Sequence, residues 1–397
     1  MTTKLRVTII GAGLGGLVAA IAAKRAGLEV RGFEQARAFG EVGAGIQLGP
    51  NAVKVLRALD LEHGLFEFGA QPRNHVARSW KSGRELFRSP TRDACVEQFG
   101  SPFFQVQRSD LHEHLRSALP DDTFLLNKQM TGFTQNRDSV VAHFRDGTEV
   151  ESDVLVGADG IHSTVRNELL GAEKPRYTGV ICWRGQVEAS RLPPDLIPPD
   201  SLNWMGPGGC VVHYFVRPGR LVNWIAHRQV DVWADESWSK PGDKQELMDA
   251  FTGWHPSLLR MFEATETCFK WALLDRDPLP TWTKDRVTLL GDSAHPMLPF
   301  FAQGGAMAME DGYVLARALA SGADPIAGLH AYEALRKERS TRVQLSSRAR
   351  ADSIQTTSLL ARVRRDVGFK VDQWLRPAGA IRRADWIYGY DATAVPL

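Results

Sequence analysis

The stretch GAGLGG, residues 11–16, stands between the β-branched run Arg6–Ile10 and an Ala- and Leu-rich run over residues 14–26. Glycine between a β-branched segment and a helix-forming segment predicts a β-strand, a tight turn and an α-helix. This order is the start of a βαβ unit, so the stretch predicts an α/β fold with a parallel sheet.

The glycines of this turn match the spacing GxGxxG. Gly11 permits the tight turn, Gly13 lets backbone N–H groups approach a pyrophosphate, and Gly16 lets the helix pack closely on the strand. A helix-capping turn without a ligand is the alternative interpretation. The residues predicted to hold a dinucleotide here are Gly11, Gly13, Leu14, Gly15 and Gly16.

A second strand is predicted over residues 28–33, and Glu34 follows it. A carboxylate about 20 residues beyond the glycines can accept hydrogen bonds from both ribose hydroxyls of an adenosine. The same charge disfavours a 2′-phosphate, so FAD or NAD suits this turn better than NADP. The motif alone does not distinguish FAD from NAD.

Composition favours a soluble protein with a small-molecule partner. The 397 residues are 43% hydrophobic and 24% charged, with a net charge of +2. A chain of this length can form two packed cores, and so small a charge creates no general attraction to nucleic acid or anionic lipid. The four cysteines form no CxxC pair, which predicts reduced thiols in a cytoplasmic protein and no metal site. We find no membrane span and no internal repeat.

The rest of the chain divides into recognisable parts. Alternating runs over residues 123–156 predict a β-meander, and strand-like pieces between 173 and 275 predict a separate sheet covering the first domain. From residue 304 nearly to 368 the pattern is helical, and the tail from about 327 to 370 suits a homodimer interface as well as a solvated face. The predicted parts are 1–172 and 276–326 for the dinucleotide-binding domain, 173–275 for a substrate domain, and 327–397 for a helical region.

Three blocks occur in a characteristic order: GAGLGG (11–16), GADGIHSTVR (157–166) and LLGDSAHPMLPFFAQGGAMAMED (289–311). On these blocks the chain resembles the class A flavoprotein aromatic hydroxylases over nearly its whole length. Within that family it is similar to the salicylate, 3-hydroxybenzoate and 6-hydroxynicotinate monooxygenases, including the segments GAGIQLGPNA (43–52) and WIYGYD (386–391). The resemblance implies a p-hydroxybenzoate hydroxylase-like fold, with a Rossmann-like FAD-binding domain, a mixed-sheet substrate domain and a C-terminal helical region.

The resemblance also implies a reaction. FAD would be tightly bound, and NADH or NADPH would bind transiently, because neither the family nor this chain has a second GxGxxG domain. With O₂, the enzyme would hydroxylate a small hydroxylated aromatic acid of the salicylate or 3-hydroxybenzoate type, ortho or para to its hydroxyl. The alternatives are decarboxylative hydroxylation of 6-hydroxynicotinate, a larger quinolone, phenazine or polyketide ring, and a flavin-carrying redox sensor or binding protein without oxygenation.

The third block supplies further candidates for FAD binding. Asp292 follows a predicted buried strand, so its carboxylate can reach the ribityl hydroxyls of a flavin; a helix N-cap is the alternative. Gly304, Gly305 and Ala306 open a helix with small side chains, so its N–H groups and positive dipole end can face the flavin ring.

Two further assignments depend on the family match. Asp159 belongs to the block that the family uses for FAD and NAD(P)H contact, although it could also cap a helix beginning near His162. Arg108 matches an arginine that the family places near the flavin phosphates and ribityl chain. It precedes a helix that Ser109 or Asp110 is expected to cap.

The substrate pocket is assigned to the middle sheet and the third block. Tyr214 and His213 are the catalytic candidates, but alternation along a strand points them to opposite faces, and we favour Tyr214. A phenol can donate to a substrate hydroxyl, whereas a core tyrosine is the alternative. Pro296 is assigned to the catalytic loop. The residues predicted to contact substrate are Gln47, Tyr214, Pro299 and Phe300, with Gln47 also contacting the cofactor.

Some positions differ between the relatives. The 6-hydroxynicotinate branch has histidines at the places of Gln47, Cys210 and Phe300, and a tyrosine at that of Tyr214. The hydroxybenzoate branch shares Gln47 but has a histidine in place of Cys210. The substrate therefore remains open at this stage.

Overall fold

The computed structural model describes residues 4–40, 44–230, 241–322, 324–375 and 379–397, and the first residue of the predicted GAGIQLGPNA segment, at position 43, lies outside them. Within these residues the strands are β1 Arg6–Ile10, β2 Glu29–Phe33, β3 Gly45–Leu48, β4 Asn74–Ser79, β5 Glu85–Pro90, β6 Phe104–Gln107, β7 Phe124–Leu125, β8 Met130–Gln135, β9 Val140–Phe144, β10 Glu149–Ser152, β11 Val154–Gly157, β12 Arg176–Glu188, β13 Ser201–Gly206, β14 Gly209–Arg217, β15 Leu221–Gln229, β16 Cys268–Asp275, β17 Thr283–Lys284 and β18 Val287–Leu289.

The α-helices of the same residues are α1 Leu14–Arg25, α2 Pro50–Ala58, α3 Glu62–Phe68, α4 Arg92–Phe99, α5 Arg108–Arg116, α6 Thr164–Leu170, α7 Lys244–Ala250, α8 Pro256–Ala264, α9 Gly304–Ala320, α10 Pro325–Gln355, α11 Leu359–Leu375, α12 Gly379–Arg382 and α13 Asp385–Tyr388. Short 3₁₀-helices lie at Ala189–Arg191, Pro194–Leu196, Gly291–Ser293 and Pro299–Phe301.

The predicted Rossmann-like domain is present as a sheet in the order β17-β18-β11-β1-β2-β7. Its central neighbours β18, β11, β1 and β2 pair in parallel, and β17 is an antiparallel edge. The glycine turn joins β1 to α1, and the block at 289–311 joins β18 to α9. The carboxyl ends of parallel strands meet at one edge of a sheet, so the topology brings these two turns together.

Helices α1 and α9 pack closely because glycines face each other's backbone. A Cβ on Gly312 of α9 would lie 2.7 Å from the Ala19 nitrogen and 2.8 Å from the Gly15 carbonyl oxygen, both in α1. Only glycine fits at such distances. This contact fixes α9 against the dinucleotide-binding unit.

The middle region forms a second, seven-stranded sheet in the order β16-β12-β15-β14-β13-β4-β5. Strands β4 and β5 precede residue 172, so the sheet draws on part of the chain that the sequence division assigns to the first domain. The division at residues 172, 275 and 326 otherwise stays a prediction. Strands β8, β9 and β10 form the expected meander.

The predicted cap of α5 is wrong. The helix begins at Arg108, after Gln107, with no side chain as its cap. The Asp110 carboxylate instead accepts two hydrogen bonds from Arg217, at 2.9 and 2.8 Å. This bond between α5 and β14 joins the first domain to the second sheet, and a charged partner there outcompetes local capping.

Helix α10 runs for 31 residues and connects the interior of the first domain to the second sheet. It packs against α9, and Ile354 near its end lies in a buried cluster with Met205 of β13 and Cys210 of β14. Among the described residues, none of the helices has the length and apolarity that crossing a membrane requires.

Candidate active site

A cavity of about 790 Å³ is the principal candidate site in the described part of the chain. Its walls come from β3, from the second sheet, from the segment that leads into α9, and from the C-terminal helices. The predicted residues that line it are Gln47, Arg108, Tyr214, Asp292, Pro296, Pro299, Phe300, Gly304 and Gly305. The structure therefore brings together residues that are far apart in the sequence.

The glycine turn lies outside this lining, at the end of β1. Gly11 has a φ of +104°, and a Cβ there would collide with the Ala158 carbonyl. At Gly13, by contrast, an added Cβ would meet nothing within 4 Å, and no side chain caps α1. The turn thus leaves open space beside uncapped helix N–H groups, which suits a pyrophosphate.

Glu34 is fixed at the end of β2. Its carboxylate accepts hydrogen bonds from the N–H groups of Ala12 and Ala36, at 2.8 and 2.9 Å. The side chain stays partly exposed next to the glycine turn. The group is therefore oriented by the turn itself and keeps lone pairs for a further donor.

Asp292 and the N-terminus of α9 face the cavity together. Asp292 is enclosed by protein yet open to the cavity space, and burial raises the pKa of its carboxyl despite the opposing charges of His295 and Arg108. A Cβ on Gly304 would lie 3.9 Å from Asp292 Oδ1. Ala306 lies behind this pair, fully buried in the first turn of α9.

Asp159 caps a helix, as its alternative interpretation holds. Its carboxylate accepts from the N–H groups of Thr164 and Val165, at 2.7 and 3.1 Å, and from the Ser163 hydroxyl. Helix α6 begins at Thr164, slightly later than predicted. The Asp159 carboxylate is thus engaged in local hydrogen bonds, and Asp159 does not line the cavity.

Alternation along β14 separates the two catalytic candidates. Tyr214 lines the cavity, whereas His213 does not. His213 Nε2 instead accepts a hydrogen bond from Trp204 Nε1 at 3.0 Å, and burial lowers its pKa to about 3. The structure thus places His213 in the core as a neutral acceptor outside the cavity lining, and Tyr214 is the one of the two candidates that faces the cavity.

The phenol of Tyr214 has polar neighbours. Burial raises its pKa, although the side chains of Gln47 and Asn223 lower it in part. The phenol is therefore protonated at neutral pH and can donate a hydrogen bond. Asn223 also accepts from the Gly45 N–H at 2.8 Å, which positions β3 against the second sheet.

Comparisons with known proteins agree with this geometry. A family model described as "FAD binding domain" matches residues 4–347. The chain is 39% identical to 6-hydroxynicotinate 3-monooxygenase of Bordetella bronchiseptica, over 100% of this chain and 98% of that protein. It is 32% identical to 3-hydroxybenzoate 6-hydroxylase of Klebsiella oxytoca, over 98% of each. The solved structure of Klebsiella pneumoniae HpxO with FAD and uric acid superimposes with a TM-score of 0.86, at 28% identity, over 95% of each chain.

The chain belongs to the class A flavin-dependent aromatic hydroxylases. It is an FAD-dependent monooxygenase with NAD(P)H as a transient cosubstrate, and the expected p-hydroxybenzoate hydroxylase-like fold is confirmed. The residues of this hydroxylase fit FAD, because Gly13 leaves open space beside the uncapped N–H groups of α1, and Asp292, Gly304 and Gly305 line the cavity. The alternative of a redox sensor without enzymatic activity has no support among these relatives.

Beneath the cavity the hydroxylase has a buried ionic cluster that sequence reasoning missed. Arg336 is fully buried between Glu310 and Asp311, with N–O distances of 2.7 and 2.8 Å. Asp311 also contacts His295 Nε2 at 2.5 Å, and Glu310 accepts from Asn51 at 2.7 Å. The cluster, defined by these five residues, connects α9 and α10 to the turn before Pro296. The sequence indicates this cluster only through charged residues within α9 and α10.

Sequence reasoning also missed a cation in the cavity wall. Arg350 of α10 lines the cavity and stacks on the Phe301 ring, with 4.6 Å from its Cζ to the ring centroid. In the part of the chain that the structure describes, its guanidinium forms no hydrogen bond and no ion pair. Burial lowers its pKa, but an arginine remains charged at neutral pH.

Two histidines and one cysteine of the cavity wall, His75, His227 and Cys210, are neutral at pH 7. Burial lowers the pKa of His75 and of His227 to about 4, and the pKa of Cys210 is raised to about 12. Cys210 Sγ lies 3.5 Å from His227 Nδ1, in a buried contact. No group of metal-ligating side chains occurs among the described residues. The chemistry of the site thus depends on the cofactor, the phenol and the arginine.

Proposed function

We propose that this hydroxylase acts on a small aromatic acid that carries a ring hydroxyl, of the salicylate, 3-hydroxybenzoate or 6-hydroxynicotinate type. The observation that carries the proposal is the charge of Arg350 in the same cavity as the Tyr214 phenol. The Arg350 side chain is exposed to the cavity space and has no ionic or hydrogen-bonding partner among the described residues, so its charge is available to an anion that enters the cavity. A carboxylate matches the guanidinium in charge and in geometry.

The other cationic groups of the wall are less suited to this role. Arg383 is paired with Asp372, Arg184 stacks on Trp271 at 4.8 Å, and Arg108 lies toward Asp292. His75 and His227 are neutral at pH 7, as their lowered pKa values require. Arg350 is therefore the group that we assign to the substrate carboxylate.

At the other end of the substrate, Tyr214 is assigned to the ring hydroxyl. Its phenol donates to that oxygen, and Gln47 and Asn223 hold the phenol in place. An ionised ring hydroxyl increases electron density at the ortho and para carbons, so the wall assists the reaction by orienting the ring and by donating the Tyr214 hydrogen bond to the phenolate oxygen. The apolar side chains of Pro299 and Phe300 exclude water around the ring.

The cofactor is assigned to the chain's own groups as follows. The turn at residues 11–16 binds the pyrophosphate, and Glu34 binds the adenosine ribose. Asp292 binds the ribityl hydroxyls, and the start of α9 lies against the flavin ring. FAD, once reduced by NADH or NADPH, supplies the oxygen activation that no side chain provides. Arg108 and Gln47 lie along the same wall.

We also propose that the enzyme is cytoplasmic, because its four thiols are free and buried, and that it is a homodimer.

The test is a screen of aromatic acids by stimulated NAD(P)H oxidation, with each product identified by mass. We expect salicylate, 3-hydroxybenzoate or 6-hydroxynicotinate to stimulate oxidation and to gain one oxygen atom, with loss of CO₂ where the attacked carbon carries the carboxylate. Stimulation by a large polycyclic ring alone would contradict the proposal.

The role of Arg350 has a separate test. Arg350→Met should raise the KM for the acid roughly 10- to 100-fold, because a hydrogen bond to a charged group contributes about 1.5–3 kcal/mol. Phenol, which lacks the carboxylate, should be used equally by both forms. Arg342→Met is the matched control, since Arg342 lies on the same helix, stacks on Trp386 at 4.4 Å, and does not line the cavity. An equal loss with phenol would argue against carboxylate binding.

A further inference from the structure

Helix α11 presents an apolar stripe to solvent. None of its residues is buried, and most of the strongly exposed large apolar side chains of the described residues lie on it. Leu360 and Trp374 are each 80% exposed. The stripe consists of Leu359, Leu360, Val363, Val367, Val371, Trp374 and Leu375. Monomeric proteins rarely expose a continuous patch of this kind.

The opposite face of α11 holds the active-site wall. Phe369 lines the cavity and packs against Phe87 with 5.5 Å between ring centroids, and Gln373 donates to the Arg88 carbonyl. These contacts attach α11 to β5 on one side only. An isolated helix of this length is only marginally stable in water, so a second surface on the outer side would hold the helix and the wall in place.

The spacing of the stripe is symmetric about Val367. Equal numbers of residues separate Val367 from the members of each pair, which are Val363 and Val371, Leu360 and Trp374, and Leu359 and Leu375. A two-fold contact between identical helices pairs each residue with the one at equal distance on the other side of the axis. A stripe with this symmetry matches an antiparallel copy of itself, residue for residue.

Charges beside the stripe agree with the same arrangement. At 3.6 residues per turn, Asp366 and Lys370 lie on one flank of the stripe, about one turn apart. In an antiparallel pair centred on Val367, Lys370 of each copy comes near Asp366 of the other, whose carboxylate already pairs with Arg365 of its own chain at 2.9 Å. Lys370 thus adds a second cation to this pair at each edge of the contact.

We propose that a second copy of this chain covers the α11 stripe in an antiparallel two-fold contact. The stripe would be the interface of the homodimer proposed above. The inference therefore rests on the proposed homodimer but not on the identity of the substrate. The dimer axis passes at Val367, and the contact stabilises the helix whose inner side chain Phe369 lines the cavity.

The first test is the mass of the FAD-loaded full chain in solution. Wild type is expected to be a dimer by light scattering at micromolar concentration, and Val367→Glu is expected to be a monomer. Val96→Glu is the matched control, because Val96 is a similarly exposed valine on α4, and it should stay dimeric. A monomeric wild type would overturn the proposed homodimer and this contact together. A dimeric Val367→Glu with normal FAD content would overturn the contact alone.

The second test fixes the geometry and does not depend on a disruptive variant. A short bismaleimide should crosslink Val367→Cys to itself, and Val363→Cys only to Val371→Cys in a mixture, while the four native cysteines are buried. Efficient crosslinking of Val363→Cys to itself would indicate a parallel contact and would overturn the proposal. So would binding of monomeric wild type to anionic vesicles with protection of the stripe, since a membrane would then be its partner.

Discussion

Replacing Arg336 with Met should destabilise the enzyme and weaken its hold on FAD. Arg336 is fully buried, so Met fills much of its volume while leaving two carboxylates without their shared cation. Breaking a buried pair by removing one partner costs about 3–5 kcal/mol. Glu310 keeps Arg339, at 2.8 Å, and Asp311 keeps His295, so we expect the lower end, about 3 kcal/mol.

The pH dependence of this loss follows from the pKa values. Burial raises the pKa of Glu310 and of Asp311, but Arg336 and the neighbouring cations lower both further, so each lies below its ordinary value. A carboxyl with a lowered pKa stabilises the fold above its unfolded pKa of about 4, and this contribution is lost as the pH falls through the folded value. The difference between Arg336→Met and wild type should thus be full at pH 7 and decline below about pH 4.

Urea unfolding followed by tryptophan and flavin fluorescence measures the effect. Arg25→Met is the control, because Arg25 pairs with Asp60 at 2.9 Å on the surface, where such pairs contribute about 0–1 kcal/mol. Arg336→Met should release FAD at a lower urea concentration than wild type or Arg25→Met. A midpoint for Arg336→Met equal to that of the control would refute the structural importance of the cluster.

Three further predictions concern single side chains. Asp292→Ala should weaken FAD binding roughly 10- to 100-fold, since it removes a hydrogen bond from a charged acceptor; titration of apoprotein with FAD measures this, and unchanged affinity would reject the ribityl assignment. Tyr214→Phe should slow hydroxylation roughly 100-fold and leave substrate-free NAD(P)H oxidation unaltered; an unchanged turnover number would remove Tyr214 from catalysis. His213, whose pKa falls from 6.5 to about 3 on burial, binds a proton when unfolded but not when folded, so stability is lost as the pH falls below 6.5. In His213→Gln, the free energy of unfolding should change less steeply with pH, by the equivalent of one bound proton. Urea midpoints measured between about pH 5 and 6.5 would show this difference. An equally steep pH dependence in variant and wild type would contradict a buried neutral His213.

Local chemistry explains why the fold was predictable. The glycine turn has one conformational solution, since Gly11 needs a positive φ and Gly16 packs against it, and the sequence shows both requirements directly. Alternation along β14 likewise predicted that only Tyr214 or His213 could reach the cavity. These signals depend on neighbours in the chain, so they could be read without the tertiary structure.

Other features depend on distant partners. Asp110 has the residue type of a cap, yet its carboxylate binds Arg217 of another domain. Asp159 was assigned to cofactor contact, but its carboxylate accepts a hydrogen bond from the first turn of α6. Arg350 lies on a helix that the sequence presents as a dimer face or a solvated face, and its place in the cavity follows only from the path of α10 across both domains. The sequence carries no local mark of such contacts.

The central claim is that this chain uses FAD to insert oxygen into an aromatic acid, and labelled dioxygen tests it most directly. The purified enzyme, with NADH or NADPH and a stimulating acid, should yield a product that contains one labelled oxygen atom, in proportion to the reduced nucleotide consumed. Hydrogen peroxide alone, with no labelled product from any hydroxylated aromatic acid, would contradict the account.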